Sequence, residues 1–257
     1  MKATNWEFAN RAMVFGIILG CSFGCYVLDK QNITVVLANW TEVRWHLNAD
    51  MIVRVLFGMA AVVLVIAALV RTWASSYLHA GVVYASQVKS ASLVAGGPYR
   101  FVRNPLYFAN VLMALALGPM MSRVGFAVVI VAMVIFCYRL ILREEHELQT
   151  NQGESYEAYR KAVPRLWPSP WARFRASGRA AKWSDGFKAE AWYWGFALAL
   201  VAFAVTLKLP VFFVILAVSL ALFWVSASAM EKKNRVSSAA STEQTQRSSV
   251  ISGHSNS

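Results

Sequence analysis

Charge is the scarcest feature of this 257-residue chain: Asp, Glu, Lys and Arg make up 15% of it, against 58% hydrophobic residues. So thin a polar coat excludes an ordinary soluble domain, where about a quarter of residues are charged. Acids are scarcer still, 13 against 25 Lys and Arg, for a net charge of +12. Cysteine is nearly absent. Cys21, Cys25 and Cys137 lie in apolar runs and read as small core residues, with no companions that complete a metal set. GxSxG, P-loop and HExxH motifs are missing, as is a GxGxxG following a strand. Their absence excludes an elbow nucleophile, a Walker phosphate cradle, a zincin helix and a Rossmann-held nucleotide. There is no internal repeat.

What remains is a set of long apolar runs with charges at their ends. Runs at 12–28, 51–70, 106–121, 124–142, 191–207 and 209–229 predict an all-α, polytopic integral membrane protein of about six transmembrane helices. Four sections follow: two N-terminal spans (1–71), a core (72–168), a basic interfacial segment with a C-terminal hairpin (169–230), and a disordered tail (231–257) rich in Ser, Gln and Asn. Residues 29–50 read as a polar loop whose Trp40 and Trp45 fit an interfacial belt, and 72–95, with His79, as an interfacial helix. With both termini inside, most Lys and Arg fall on the cytoplasmic side, in agreement with the positive-inside rule, and a bacterial inner membrane is expected. The basic residues then meet anionic lipid headgroups, and no nucleic-acid-binding module is recognisable.

Chemistry concentrates at two places. Gly96 to Tyr107 is turn-rich and cationic, with Asn104 placed to cap a helix that starts at Pro105. Arg143 to Glu147 follows the second helix of the hairpin that this stretch begins. Antiparallel neighbours bring those ends together, so Arg100, Arg103, Asn104 and Tyr107 face Glu144 and Glu145. A carboxylate pair beside a basic, aromatic cluster can hold a zwitterion, the acids taking an ammonium or sulfonium and the Arg a carboxylate. The plainer alternative is a salt bridge from Arg103 to Glu144 or Glu145 that fixes the hairpin. Further on, Asn151 and Glu154 fit a capping box for a short helix that carries Tyr156 and Tyr159 on one face and stops at Pro164. Neither His79 nor His146 has the company a metal would need, so no metal is expected.

In order, these residues read Gly97-Pro98-Tyr99-x-x-x-Arg103-Asn104-Pro105-x-Tyr107, an apolar hairpin, Glu144-Glu145-x-x-Leu148, Gly153-x-x-Tyr156-x-x-Tyr159 and Val163-Pro164-Arg165. The pattern resembles the isoprenylcysteine carboxyl methyltransferase and phospholipid methyltransferase superfamily over roughly residues 72–168. The resemblance implies a membrane enzyme that uses S-adenosylmethionine from the cytoplasm, on a lipid-like acceptor in the bilayer. It implies Gly97, Tyr99, Arg103, Asn104, Pro105, Tyr107, Glu144, Glu145, Tyr156 and Tyr159 as cofactor contacts, Arg103 and Glu144 as catalytic residues, and Arg165 toward the substrate. The prenylcysteine branch has His where this chain has Asn104, so the acceptor stays open between a prenylcysteine-type carboxylate and a phospholipid amine. Two rivals remain: a NADPH-dependent membrane reductase of the sterol-reductase type, and a non-enzymatic membrane protein or transporter. Charges confined to span ends speak against the transporter.

Overall fold

The computed structural model describes residues 1–78, 95–175 and 180–225. Among these residues every element is helical, apart from one isolated bridge between Asn32 and Ser122. The expected tail at 231–257 and most of the expected interfacial helix, His79 included, lie outside the described residues.

Several helices begin where the sequence supplies a cap or a proline. Thr4 caps α1 (Asn5–Ala9) in a reciprocal box with Glu7. After it come α2 (Arg11–Gly24) and then α3 (Ile33–Trp45), which Asn32 caps through the Val35 N–H. The predicted 29–50 loop is therefore mostly helix. Its charges had masked the apolar run Ile33 to Ala38, although Trp40 and Trp45 remain half-exposed as a belt requires. Asn48 caps α4 (Ala49–Tyr77), which is 29 residues long and continues past the apolar run. Pro105 opens α5 (Pro105–Leu117), and Ser122 caps α6 (Arg123–Ala162) through the Gly125 N–H. A bent pair follows, α7 (Trp183–Ala189) and α8 (Ala191–Thr206), and then α9 (Leu209–Val225).

By length and composition α4 and α6 can each cross a membrane, and α7 with α8, bent by 67°, counts as a third crossing if taken as one span. The shorter apolar helices are 11–27, 105–120 and 209–225. Helix α4 is the central post, against which α3, α5, α7 and α8 pack, while α2 leans on α6. Ala60, Ala61, Ala67 and Ala68 let the neighbours approach α4 closely, as small residues do between membrane helices. Phe57 meets Phe203 edge-on at 4.8 Å, and Phe15 meets Phe136 at 5.0 Å.

Helix α6 has 40 residues in two arms, the first, up to Gly153, about 45 Å long and so longer than the hydrocarbon thickness. Only its first half is apolar. Past residue 142 its sequence turns polar, and at Gly153 (φ 53°, ψ −123°) it reverses. The break is a backbone conformation open to glycine. The chain beyond Gly153 returns to the level at which α5 begins.

Gly97 is the other described glycine with a positive φ. Its φ is +54°, and a Cβ built there would stand 2.4 Å from the Tyr77 ring. The left-handed backbone alone costs an alanine about 1–2 kcal/mol, and the overlap adds to it. Gly97→Ala is expected to lower the thermal midpoint in detergent more than Gly153→Ala, where nothing lies within 4 Å of the added carbon.

Candidate functional site

The Gly96–Tyr107 stretch is built by its own turn and by a second strand of chain laid beside it. Pro98 starts a tight helical turn (Gly97–Arg100), closed by the Phe101 and Val102 N–H groups bonding to the Pro98 carbonyl. The returning segment after Gly153 then exchanges backbone bonds with it. Arg103 N–H donates to Pro164 at 2.9 Å, Ser169 N–H to Phe101 at 2.9 Å, and Arg173 N–H to Arg100 at 2.8 Å. The Tyr159 hydroxyl donates to the Tyr99 carbonyl at 2.7 Å, and the Arg100 Nε to the Phe174 carbonyl at 3.0 Å. These bonds place Arg103, Asn104 and Tyr107 opposite the end of the apolar half of α6, as the hairpin argument expected.

The two glutamates are consecutive on α6, so their side chains diverge by about 100°. Glu145 is buried and saturated. Its Oε1 lies 3.4 Å from Arg103 Nη2 and accepts from Asn104 Nδ2 at 3.3 Å, while its Oε2 takes Arg165 Nε at 3.0 Å and Nη2 at 2.9 Å. Asn104 also donates to the Arg165 carbonyl at 3.0 Å and makes no capping bond, so the predicted cap is replaced by a cross-brace; Pro105 does occupy the first helical position. Glu144 holds one bond, from the Tyr107 hydroxyl at 2.7 Å. It lies past the apolar stretch, and burial raises its carboxyl to about 7.

Charge around Glu145 does not balance. Two guanidinium groups share one carboxylate, and Arg103, with its side chain 8% exposed, has Nε and Nη1 buried without an acceptor among the described residues. Orphaned guanidinium donors call for a carboxylate or phosphate oxygen. The Glu144 carboxylate, held by a single hydroxyl, suits a cation. The two features fit the two ends of a zwitterionic cofactor.

Arg165 is held by Glu145 and by the Tyr138 hydroxyl at 3.0 Å, its guanidinium over the Tyr138 ring. Tyr156 and Tyr159 lie in a small separate core with Ala95 and Val163, braced by Leu148 and Phe174, instead of anchoring at an interface. Burial pushes both phenols up, and also that of Tyr99, whose surroundings include Tyr159 and Glu144. Outside these residues, a cleft of about 490 Å3 opens beside Arg103, lined by Arg160, Lys161, Trp167, Ser169 and Arg173 among others.

Sequence reasoning missed a second polar centre. Arg71 of α4 bonds Glu190, the residue between α7 and α8, through Nε and Nη2, and reaches Asn110 of α5 at 2.7 Å. Ser75 also donates to Glu190, and the Tyr193 hydroxyl to the Ala109 carbonyl at 2.9 Å. The only signal in the sequence was an Arg ending one apolar run and a Glu preceding another.

The phospholipid methyltransferase family model matches residues 53–154, a stretch that holds Arg103, Asn104, Tyr107 and both glutamates but stops short of Tyr156. The nickel-cobalt-cadmium resistance protein NccN of Alcaligenes xylosoxydans xylosoxydans is 29% identical over 85 residues, 33% of this chain and 40% of that protein. The cobalt-zinc-cadmium resistance protein CzcN of Cupriavidus metallidurans is likewise 29% identical over 85 residues, 33% of this chain and 39% of that protein. The match thus spans about two fifths of each relative's length. No solved structure matches.

Glu145→Gln leaves Arg103 and Arg165 without a counter-charge, and is expected to cost about 3–5 kcal/mol of stability. Glu144→Gln keeps an acceptor for Tyr107 and is expected to cost under about 1 kcal/mol. Unfolding in detergent, read for the two neighbouring variants, checks the contrast.

Proposed function

We propose, on the match of residues 53–154 to the phospholipid methyltransferase family model, that this integral membrane protein transfers a methyl group from S-adenosylmethionine to a lipid-like acceptor. The observation that carries the reading is the division of labour at one end of the α5–α6 hairpin. Arg103, paired with Glu145, keeps buried donors without a partner among the described residues, and Glu144, the residue before Glu145 on α6, offers a carboxylate with one partner. When bound, S-adenosylmethionine supplies a methyl group on a positively charged sulfur. The residues supply position and electrostatics, the main requirements of an in-line displacement.

In this reading Arg103 receives the cofactor's carboxylate, and Glu144, oriented by Tyr107, faces its positive charge. Gly97, Tyr99, Asn104 and Pro105 shape the backbone around them. Glu145 keeps Arg103 in place through a direct ion pair and Asn104 through a hydrogen bond. Tyr156 and Tyr159 seat the returning segment over the stretch, and Arg165 closes the acceptor side through Tyr138. A carboxylate acceptor is already ionised at neutral pH and needs only orientation by an Arg. An amine acceptor must lose a proton, and a carboxyl near pH 7 is suited to take it.

The proposed topology has six spans with both termini on the cytoplasmic side of a bacterial inner membrane, so the cofactor enters from the cytoplasm and the lipid from between helices. The relatives' names concern metal resistance. Among the described residues no three His, Cys, Asp or Glu side chains gather to hold a metal ion.

Binding of S-adenosylmethionine and its demethylated product to purified protein, followed by calorimetry, tests the proposal. Loss of one charge-assisted contact is worth about 1.5–3 kcal/mol, so Arg103→Ala and Glu144→Gln should each weaken binding about ten- to hundredfold. Binding of NADPH in its place would turn the reading to a reductase, and binding of neither would contradict an enzyme of this kind.

A further inference from the structure

The cleft shares Arg103 with the proposed cofactor site, but its other cationic residues take no part in that reading. Four of its lining residues are cationic (Arg103, Arg160, Lys161 and Arg173), and among the described residues that line it none is acidic. Its volume of about 490 Å3 lies within the range of small-ligand sites. The outer cations are lightly engaged. Arg160 and Lys161 share one partner, Glu157, at 2.9 and 3.8 Å on the helix surface, and exposed pairs of that kind contribute little. Arg173 is held from behind: its Nε donates to Ser169 Oγ at 2.8 Å and its backbone N–H to the Arg100 carbonyl.

Trp167 lines the cleft. That side chain is 65% exposed, yet its ring meets Phe108 in the first turn of α5 edge-on, with centroids 6.0 Å apart. Tryptophans with an apolar contact on one side and an open face on the other belong at headgroup level. Trp171, 73% exposed, stands on the same loop. The reversal at Gly153 thus returns the cationic cleft to the level at which α5 begins, instead of leaving it about 30 Å out along the axis of α6.

We propose that this cleft binds the phosphodiester of an acidic phospholipid, with Arg160, Lys161 and Arg173 as its donors and Trp167 against the upper acyl chain. The bound lipid is a fixed ligand of the cytoplasmic leaflet and not the methyl acceptor. Arrangement at headgroup depth favours a lipid over free phosphate, because the bilayer presents its phosphates at that plane and at high local density. A Lys or Arg near an anionic surface contributes a gain that multiplies over three residues to about a hundredfold in affinity.

Native mass spectrometry of the full chain, released from detergent with phosphatidylglycerol or phosphatidylcholine added, tests this. One tightly retained phosphatidylglycerol is expected, in preference to phosphatidylcholine, and about a hundredfold loss of retention in the Arg160→Gln, Lys161→Gln, Arg173→Gln triple variant. A control variant with Lys2→Gln, Arg11→Gln and Lys182→Gln, basic positions outside the cleft lining, should keep it. If the triple variant is unfolded by circular dichroism, Arg173→Gln alone replaces it, with about a fivefold loss expected. Equal retention of both lipids, or retention undiminished in the cleft variants, overturns the proposal. Displacement by millimolar inorganic phosphate would make free phosphate the ligand and overturn the lipid. Because the readout is lipid mass and not methyl transfer, its outcome does not depend on the cofactor experiment.

Discussion

One carboxylate organises this end of the molecule. Glu145 receives Arg103 and Asn104 from the start of α5 and Arg165 from the segment that returns after Gly153, so three stretches far apart in the chain meet on a single buried group. A buried carboxylate is tolerated only when it is paired and hydrogen-bonded, and this one meets that demand in full. Because two guanidinium groups answer one acid, positive charge is left over, and it sits on Arg103. The surplus turns a structural clasp into a candidate binding group. Glu144, one residue earlier, points away from the clasp and keeps its carboxylate for a single tyrosine hydroxyl.

Much of this was readable in advance. Antiparallel helices must place the start of one beside the end of the other, so the approach of Arg103 and Tyr107 to the glutamates followed from the spacing of apolar runs. The salt bridge weighed as a plain alternative is also present, and it coexists with the unsatisfied donors that a ligand would use. The role of Asn104 was not readable. Asn before Pro is a helix-capping signature, and only the returning backbone at Arg165, which the sequence gives no reason to place there, draws its side chain sideways. The reversal itself rests on Gly153, one glycine in a polar stretch, where a turn and a flexible helix end look alike.

The centre formed by Arg71, Glu190 and Asn110 was hidden for a different reason. Its ion pair joins residues 119 apart, on helices that no local pattern ties together. Each member sits near the end of an apolar run, where an isolated charge is read as a snorkelling or headgroup contact. In the fold they turn inward and satisfy one another, with Arg71 over the Tyr193 ring. This pairing attaches α7 and α8, which lie beyond the matched stretch 53–154, to α4 and α5 within it. The C-terminal hairpin is thus packed into the same body as the candidate site.

The most direct measurement of the central claim follows the methyl group. Membranes containing the full chain, incubated with methyl-labelled S-adenosylmethionine and extracted with organic solvent, should yield label in a lipid fraction. That label should be absent from membranes without the protein and from those carrying Glu144→Gln at equal abundance. Label that stays wholly in the aqueous phase, or that enters lipid equally with the Glu144 variant, would contradict the account.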